Sequence, residues 1–265
     1  LPRNLIMLNL NLNTTSTRKA SEIAIDPDAQ AFLTAAGITD PTQITAVNNL
    51  TLGLKANSLW TKMVAVYPFV GGTATSHKWN LVDPRDLDAA YRITWNGGIT
   101  HNASGVKGNG VDGFGGLRIN DLAWSGSQGF FGYSNFETGA LGSDSLWGYN
   151  GILDTFLNPR NATDQLATRL DTLAGVYNAA NATSVGFYGY NRENTSQYRN
   201  YYNGTEATVS YSDSTPNSLL RLLMYNTNFS QRRLASFYAT NGLLHTEMST
   251  LASLDLAFQT TLSRT

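Results

Sequence analysis

Apolar and polar positions change period three times along this chain. At the start, Leu8, Leu10 and Leu12 alternate with Asn9, Asn11 and Asn13, the period of two of a half-buried strand. A polar stretch from Asn13 to Ser21 follows, so residues 1–25 read as an arm and linker. Such an arm either pairs with a neighbouring subunit's sheet edge or forms an edge strand of its own domain. From residue 26 the period becomes helical. Asp26-Pro27 and Asp40-Pro41 each place a capping Asp before a Pro suited to the first helical position. Gly37 is placed to stop the first helix, and Ile44, Val47, Thr51 and Leu54 share one face of the second. A third run, Leu59 to Tyr67, carries Trp60, Met63, Val64 and Tyr67 at helical spacing and ends at Pro68 and Gly71-Gly72. A helical preface over residues 26–72 is therefore predicted.

Beyond His77, short runs rich in aromatic and β-branched residues recur between turn signals. The predicted strands are Lys78–Val82, Tyr91–Trp95, Leu117–Leu122, Gly129–Tyr133, Val185–Tyr190, Ala207–Tyr211, Leu219–Tyr225 and Arg233–Tyr238. Asn96-Gly97-Gly98, Asn203-Gly204 and Ser214-Thr215-Pro216-Asn217 are strong turn formers between them. Many short strands with few crossover helices predict a mainly β protein, a β-sandwich. Leu166–Ala180 suits either a helix or a strand. At the end, Leu251, Leu254, Phe258 and Leu262 form a helical stripe, predicting a helix from about Thr246 to Leu262. Residues 73–265 read as a sandwich with this C-terminal helix, and residues 26–265 as one folding unit.

Composition narrows the function classes. Charged residues are 14% of the chain, against about 25% in an average domain. The net charge is −1, which excludes the strong positive field of a general nucleic-acid binder and argues against a polybasic membrane-surface protein. There is no Cys, so disulfides and thiolate chemistry are excluded. No apolar window reaches the length of a membrane-spanning helix. The chain opens with Leu1-Pro2-Arg3, as a processed or partial chain would.

Two segments carry a family resemblance. The first lies within Ala56–Gly98 and contains "LWTKMVAVYPFVGG", Leu59 to Gly72; the second, Arg232–Arg264, ends in "FQTTLSR", Phe258 to Arg264. Together they resemble a tailed-phage virion structural protein family that also occurs in bacterial proteins of prophage origin. In that family a helical preface leads into a concanavalin-like (LamG-like) jelly roll, closed by a strand, a turn and a helix. The resemblance weakens between Asp112 and Asn228, and Ile99 stands where the family often has an aromatic. It implies a virion-surface location, as a decoration or tail-appendage subunit assembled as a homo-oligomer with other virion proteins, with no nucleic-acid or membrane partner.

Candidate chemistry is sparse. Gly108–Gly113 fits G-x-G-x-x-G but lacks the preceding strand and following helix, so a turn is expected. Ser16-Thr17-Arg18-Lys19 fits S-x-x-K without its partner motifs, and no G-x-S-x-G occurs. No two Glu lie two or four apart on a predicted strand, as a single-strand glycosidase pair would need. Asp86 and Asp88 flank a turn, where capping suits them. His77, His101 and His245 lack metal-ligand spacing, and His245 sits where it could cap the last helix. Asp112, Asn120 and Asp121 are weak calcium candidates with turn chemistry as the alternative. N-x-S/T triplets recur from Asn13 to Asn228, little above what such a composition produces by chance.

The remaining surface candidates are aromatic. Tyr188, Tyr190, Tyr198, Tyr201 and Tyr202 cluster beside Arg192 and several Asn. They read as strand packing, as a subunit interface, or as a platform for stacking a sugar. No catalytic residue and no cofactor is expected. The leading expectation is a non-enzymatic virion structural protein. Its alternatives are a carbohydrate-binding module for host attachment and a jelly-roll polysaccharide hydrolase.

Overall fold

Asp26 and Asp40 cap two helices, as the Asp-Pro pairs predict. In α1 (Pro27–Ala36) the Asp26 carboxylate accepts the Asp28 N–H at 3.0 Å. In α2 (Pro41–Ala56) Asp40 accepts the Gln43 N–H at 2.9 Å. Gly37 ends α1 in the left-handed region, φ 67°. A one-turn α3 (Ala74–His77) follows, and α4 (His245–Thr261) closes the chain within one residue of the predicted bounds. The structure is a computed structural model that describes residues 24–119, 128–137, 139, 142, 144–148, 155–170, 176–192, 196–210 and 219–265. The arm residues Leu8, Leu10 and Leu12 lie outside the described residues, as does most of the linker.

Two antiparallel sheets carry most of the described strands. The first has six: β1 (Met63–Tyr67), β18 (Ser236–Asn241), β6 (Gln128–Ser134), β11 (Gly186–Arg192), β12 (Gln197–Tyr202) and β13 (Thr205–Ser210), in that spatial order. The second has seven: β10 (Tyr177–Ala180), β9 (Gln165–Arg169), β8 (Phe156–Asn158), β7 (Trp147–Gly148), β14 (Arg221–Leu222), β5 (Phe114–Gly116) and β2 (Thr94–Asn96). Two small ribbons complete them. One pairs β15 (Met224–Tyr225) with β16 (Asn228–Phe229); the other orders β17 (Arg233–Leu234), β4 (Gly105–Lys107) and β3 (Thr100–Asn102).

Side-chain alternation sorts the six-stranded sheet into two faces. Ala65, Tyr67, Phe130, Tyr188, Tyr190, Tyr198 and Phe237 point toward the seven-stranded sheet, meeting Trp147, Leu157, Leu166 and Leu222. Val66, Phe131, Tyr133, Phe187, Tyr201 and Tyr238 point the other way, onto Phe32, Leu50, Leu54, Leu251 and Phe258 of the helices. The molecule is thus three layers, helices on sheet on sheet, with two apolar cores. All seven residues of β6 and of β11 are buried.

This double burial explains the main departure from the sequence reading. Leu59–Tyr67 is not a helix: a 3-10 turn, Trp60–Lys62, leads into β1, so the helical preface does not extend to residue 72. A strand buried on both faces is a continuous apolar run, and its spacing cannot be told from that of a buried helix. A register shift between Met63 and Ala65 marks a bulge in its pairing with β18. Lys78–Val82 forms no strand, but it shields the edge of β1. The buried Asn80 amide accepts the Val66 N–H at 2.9 Å, and the Leu81 N–H donates to Val66 O at 2.8 Å. Positive φ at Leu223, 58°, splits the run Leu219–Tyr225. Ala235 separates two strands within Arg233–Tyr238, which belong to different sheets. Leu166–Ala180 contributes strands β9 and β10. The strand expected at Leu117–Leu122 lies earlier, at β5, and residues 120–122 are outside the described residues.

Two buried ionisable groups fasten α4. Arg264, 7% exposed, donates to the carbonyls of Ala103, Pro68, Ala235 and Phe69 at 2.7 to 3.3 Å. The two segments that carry the family resemblance therefore interlock through "FQTTLSR" and "YPF". Asp255 accepts from Ser236 Oγ, Tyr238 OH and Gln259 Nε2 through one oxygen, while its second oxygen is buried without a partner. Burial raises its pKa from 3.8 to about 6. The folded state then binds more protons than the unfolded state between those values. The cost of ionising Asp255 therefore grows as pH rises through this window and levels above it. Asn at this position keeps the acceptor and carries no charge. The Asp255→Asn variant is expected to gain stability relative to the parent by about 2 kcal/mol between pH 4 and pH 7, read from urea unfolding at each pH. A pH-independent difference would show that Asp255 is not held in the way described.

Candidate open sheet face

A two-sheet sandwich has four sheet faces. Two meet in the inter-sheet core, and a third lies under α1, α2 and α4. The fourth is the outer face of the seven-stranded sheet. Strand register fixes which residues stand on it. Across the sheet one row runs Thr94, Gly116, Arg221, Gly148, Phe156 and Arg169, each residue opposite the next. Beside this row stand Asn96 and Phe114 at one end, and Asn158, Ala167 and Asn178 at the other.

The glycines shape this face. A Cβ on Gly116 would meet Thr94 O at 3.6 Å, Phe114 at 3.9 Å and Asn96 at 4.0 Å, ordinary contacts, so no ring covers the floor there. A Cβ on Gly148 would lie 3.0 Å from the Tyr225 side chain, so that ring covers the second glycine. Tyr225 reaches the sheet from the β15–β16 ribbon and packs on Phe156, ring centroids 4.5 Å apart. Phe229 of the same ribbon lies 6.3 Å from Phe114, and the Arg221 guanidinium sits 5.0 Å above the Phe114 ring. The ribbon thereby divides the face into two depressions. One, of about 210 Å³, is lined by Thr94, Asn96, Phe114, Gly116, Arg118 and Arg221 among others. The other, of about 270 Å³, includes Phe156, Asn158, Asn161, Asn178 and Tyr225. A third, polar hollow of about 390 Å³ lies against Phe229 and has Asp144 in its wall. That carboxylate is already engaged by Ser230 Oγ and by the Gln231 N–H, beside the buried Arg232.

The residues singled out from sequence fall elsewhere. Tyr188, Tyr190 and Tyr198 are 0%, 0% and 1% exposed and belong to the inter-sheet core. Their hydroxyls serve the fold: Tyr190 accepts from Trp147 Nε1 at 3.2 Å, and Tyr188 donates to Thr183 O at 2.9 Å. Tyr201 is buried toward the helices, Tyr202 is half-buried against the core, and Arg192 is buried. None of the three core tyrosines can stack on a sugar, because the alternation they share is that of doubly buried strands. Asp112 accepts the Gly98 N–H at 2.9 Å and Asn109 Nδ2 at 2.7 Å, clamping the Asn96-Gly97-Gly98 turn. Asn109 in turn accepts the N–H groups of Val111, Asp112 and Gly113, so the G-x-G-x-x-G match is a turn. Asn120 and Asp121 lie outside the described residues, and no cluster of three metal-ligating groups occurs among the described residues. Asp86 and Asp88 form ion pairs with Lys78, Arg92 and Arg118.

The histidines are less scattered than their spacing suggests. His77 and His101 face each other, Nδ1 to Nδ1, at 3.1 Å. The Gly72 N–H donates to His77 Nε2, so the proton of His77 sits on Nδ1 and points at His101. Burial, with His101 and Arg264 nearby, pushes the His77 pKa down to about 3, so this pair stays neutral at physiological pH. His245 opens α4 and pairs through Nδ1 with Glu206. The open face was missed because its signal lies in cross-strand neighbours, which no local spacing reveals.

No protein-family model and no curated protein matches the sequence. Solved structures share the fold. Trypanosoma rangeli sialidase, in complex with 2-keto-3-deoxy-D-glycero-D-galacto-2,3-difluoro-nononic acid, superposes with a TM-score of 0.55 at 14% identity, over 74% of this chain and 33% of that one. The binding domain of botulinum neurotoxin DC, in complex with rat synaptotagmin II, gives a TM-score of 0.51 at 12% identity, over 76% of this chain and 52% of that one. The chain thus spans about a third of the sialidase and about half of the toxin domain. These likenesses establish a mainly β, jelly-roll-like sandwich.

The assignment of faces has a direct consequence for two adjacent glycines. A Cβ on Gly115 would lie 2.6 Å from Trp95 in the core, whereas one on Gly116 meets only ordinary contacts. Gly115→Val is expected to cost about 2 kcal/mol through overpacking, and Gly116→Val less than about 0.5 kcal/mol. Urea unfolding of both variants measures this, and the reverse order would invert the assigned faces.

Proposed function

We propose that this chain is a non-enzymatic glycan-binding domain whose ligand lies on the open face of the seven-stranded sheet. The observation that carries the reading is the shallow trough over Gly116, bordered by Phe114 and Asn96, with the Tyr225 ring and Asn178 in the depression beyond it. Half-exposed rings offer apolar faces to the C–H side of a sugar, and amides offer both donors and acceptors to its hydroxyls. Most glycoside hydrolases use two carboxylates across such a trough. Among the described residues lining the three hollows, Asp144 is the one carboxylate, and its oxygens are taken. A sialidase among the fold relatives agrees with a saccharide ligand, although its likeness is of fold.

The second reading concerns setting. The interlocked segments Leu59–Gly72 and Phe258–Arg264 resemble those of phage virion proteins, which favours a homo-oligomeric decoration or tail-appendage subunit at the virion surface. Glycan binding there would serve host attachment, so the two readings are compatible. They depend on different parts of the molecule: the resemblance on residues that hold α4 to the sheet, the ligand on the opposite layer.

Binding of the whole chain to a panel of soluble bacterial and plant polysaccharides, followed by calorimetry, tests the ligand. Phe114→Ala and Tyr225→Ala are each expected to weaken binding about tenfold. Leu256→Ala, at the hollow between α4 and the six-stranded sheet, is expected to leave it unchanged. Absence of binding across the panel, or binding indifferent to both ring truncations, would overturn the proposal.

A further inference from the structure

The open face carries charge of one sign. The depression over Gly116 is lined by Arg118 and Arg221, and neither depression is lined by a carboxylate among the described residues, in a chain whose net charge is −1. Arg118 shares its charge with Asp88 at 3.5 Å. Arg221 has no acidic partner among the described residues; its contacts are the Phe114 ring and Met224 Sδ at 3.4 Å. Its cross-strand neighbours on both sides are glycines, Gly116 and Gly148. Neither of these two neighbours therefore places a side chain between it and the floor over Gly116. Laid on an aromatic ring, a guanidinium is held in place while its N–H edge remains free to donate two parallel hydrogen bonds.

We infer that this face takes a carboxylate-bearing saccharide, with Arg221 as the residue that selects it. The inference rests on the glycan reading above and adds the ligand's chemical class. The fork of Arg221 matches the planar carboxylate of a uronic or sialic acid. The amides of Asn96 and the Phe114 ring, both lining the same depression, receive the hydroxyls and the apolar edge of that residue. Because Arg221 is partly exposed, the contact weakens as salt rises.

The experiment measures calorimetric affinity of the whole chain for polygalacturonate and polysialic acid, for the carboxyl-reduced form of each, and for dextran sulfate. It is repeated with Arg221→Gln and Arg221→Lys, after matching melting temperatures confirm folding. The expected result is at least tenfold tighter binding of a carboxylated polymer than of its reduced form, a preference abolished in R221Q and only partly kept in R221K. Whichever carboxylated polymer binds identifies the uronic or the sialic source. Equal binding of the reduced and carboxylated forms, unaffected by R221Q, would overturn this inference and leave the glycan reading standing. Preference for dextran sulfate would overturn the carboxylate assignment. Binding of none of the polymers would overturn both.

Discussion

Burial of one sheet on both of its faces is the constraint on which the rest of this molecule depends. The six-stranded sheet must satisfy the helices with one set of alternate residues and the second sheet with the other. Phe131 and Phe130, Phe187 and Tyr188, Tyr238 and Phe237 are successive residues that serve opposite cores. A change of register by one residue would exchange the two sets, placing tyrosines with inter-sheet hydrogen bonds against apolar helices. The polar groups that do enter these layers are tied down. Trp147 donates to Tyr190, Thr168 to Asn200, and Asn191 holds Leu243 at both its N–H and its carbonyl. Removing any of the large rings would cost roughly 3–5 kcal/mol, by the usual scale for such truncations.

The same constraint singles out the proposed ligand face. With three sheet faces committed to packing, the fourth is where a sheet surface can meet a ligand. The chain leaves it shallow with Gly116 and crosses it with the short β15–β16 ribbon, whose Tyr225 and Phe229 lean onto the sheet. Site and scaffold are thereby separated. Arg264 and Asp255 hold the helical layer to the six-stranded sheet, and neither lines the depressions of the seven-stranded one. This separation accounts for a sequence in which Leu59–Gly72 and Phe258–Arg264 bear on the fold, while Phe114, Arg221 and Tyr225 of the proposed ligand face lie where the resemblance is weak.

Elements with local signals were legible in the sequence. The Asp-Pro caps, Gly37 and the apolar stripe of α4 each act within a few residues, and the helices begin and end where those residues place them. The strands β6 and β11 were legible because their runs are rich in aromatic residues, and β13 because it follows the Asn203-Gly204 turn. What was not legible depended on partners far along the chain. Met63–Tyr67 reads as helix until β18 and two cores are set beside it. Asn80 gives no sign of acting as a surrogate strand edge. The tyrosines of β11 and β12 suggest a surface platform because Tyr and Asn suit both a wet face and a core that engages hydroxyls such as those of Tyr188 and Tyr190. The trough needs Gly116, Arg221 and Gly148, from three strands, to be neighbours, and no window of sequence contains them.

The most direct test of the central claim is a saccharide titration followed by backbone amide chemical shifts of the assigned protein. The account predicts that shifts concentrate in Thr94–Asn96, Phe114–Arg118 and Arg221–Phe229, on the open face. Shifts concentrated instead around Tyr133, Phe187, Tyr201 and Leu256, in the apolar hollow between α4 and the six-stranded sheet, would contradict it.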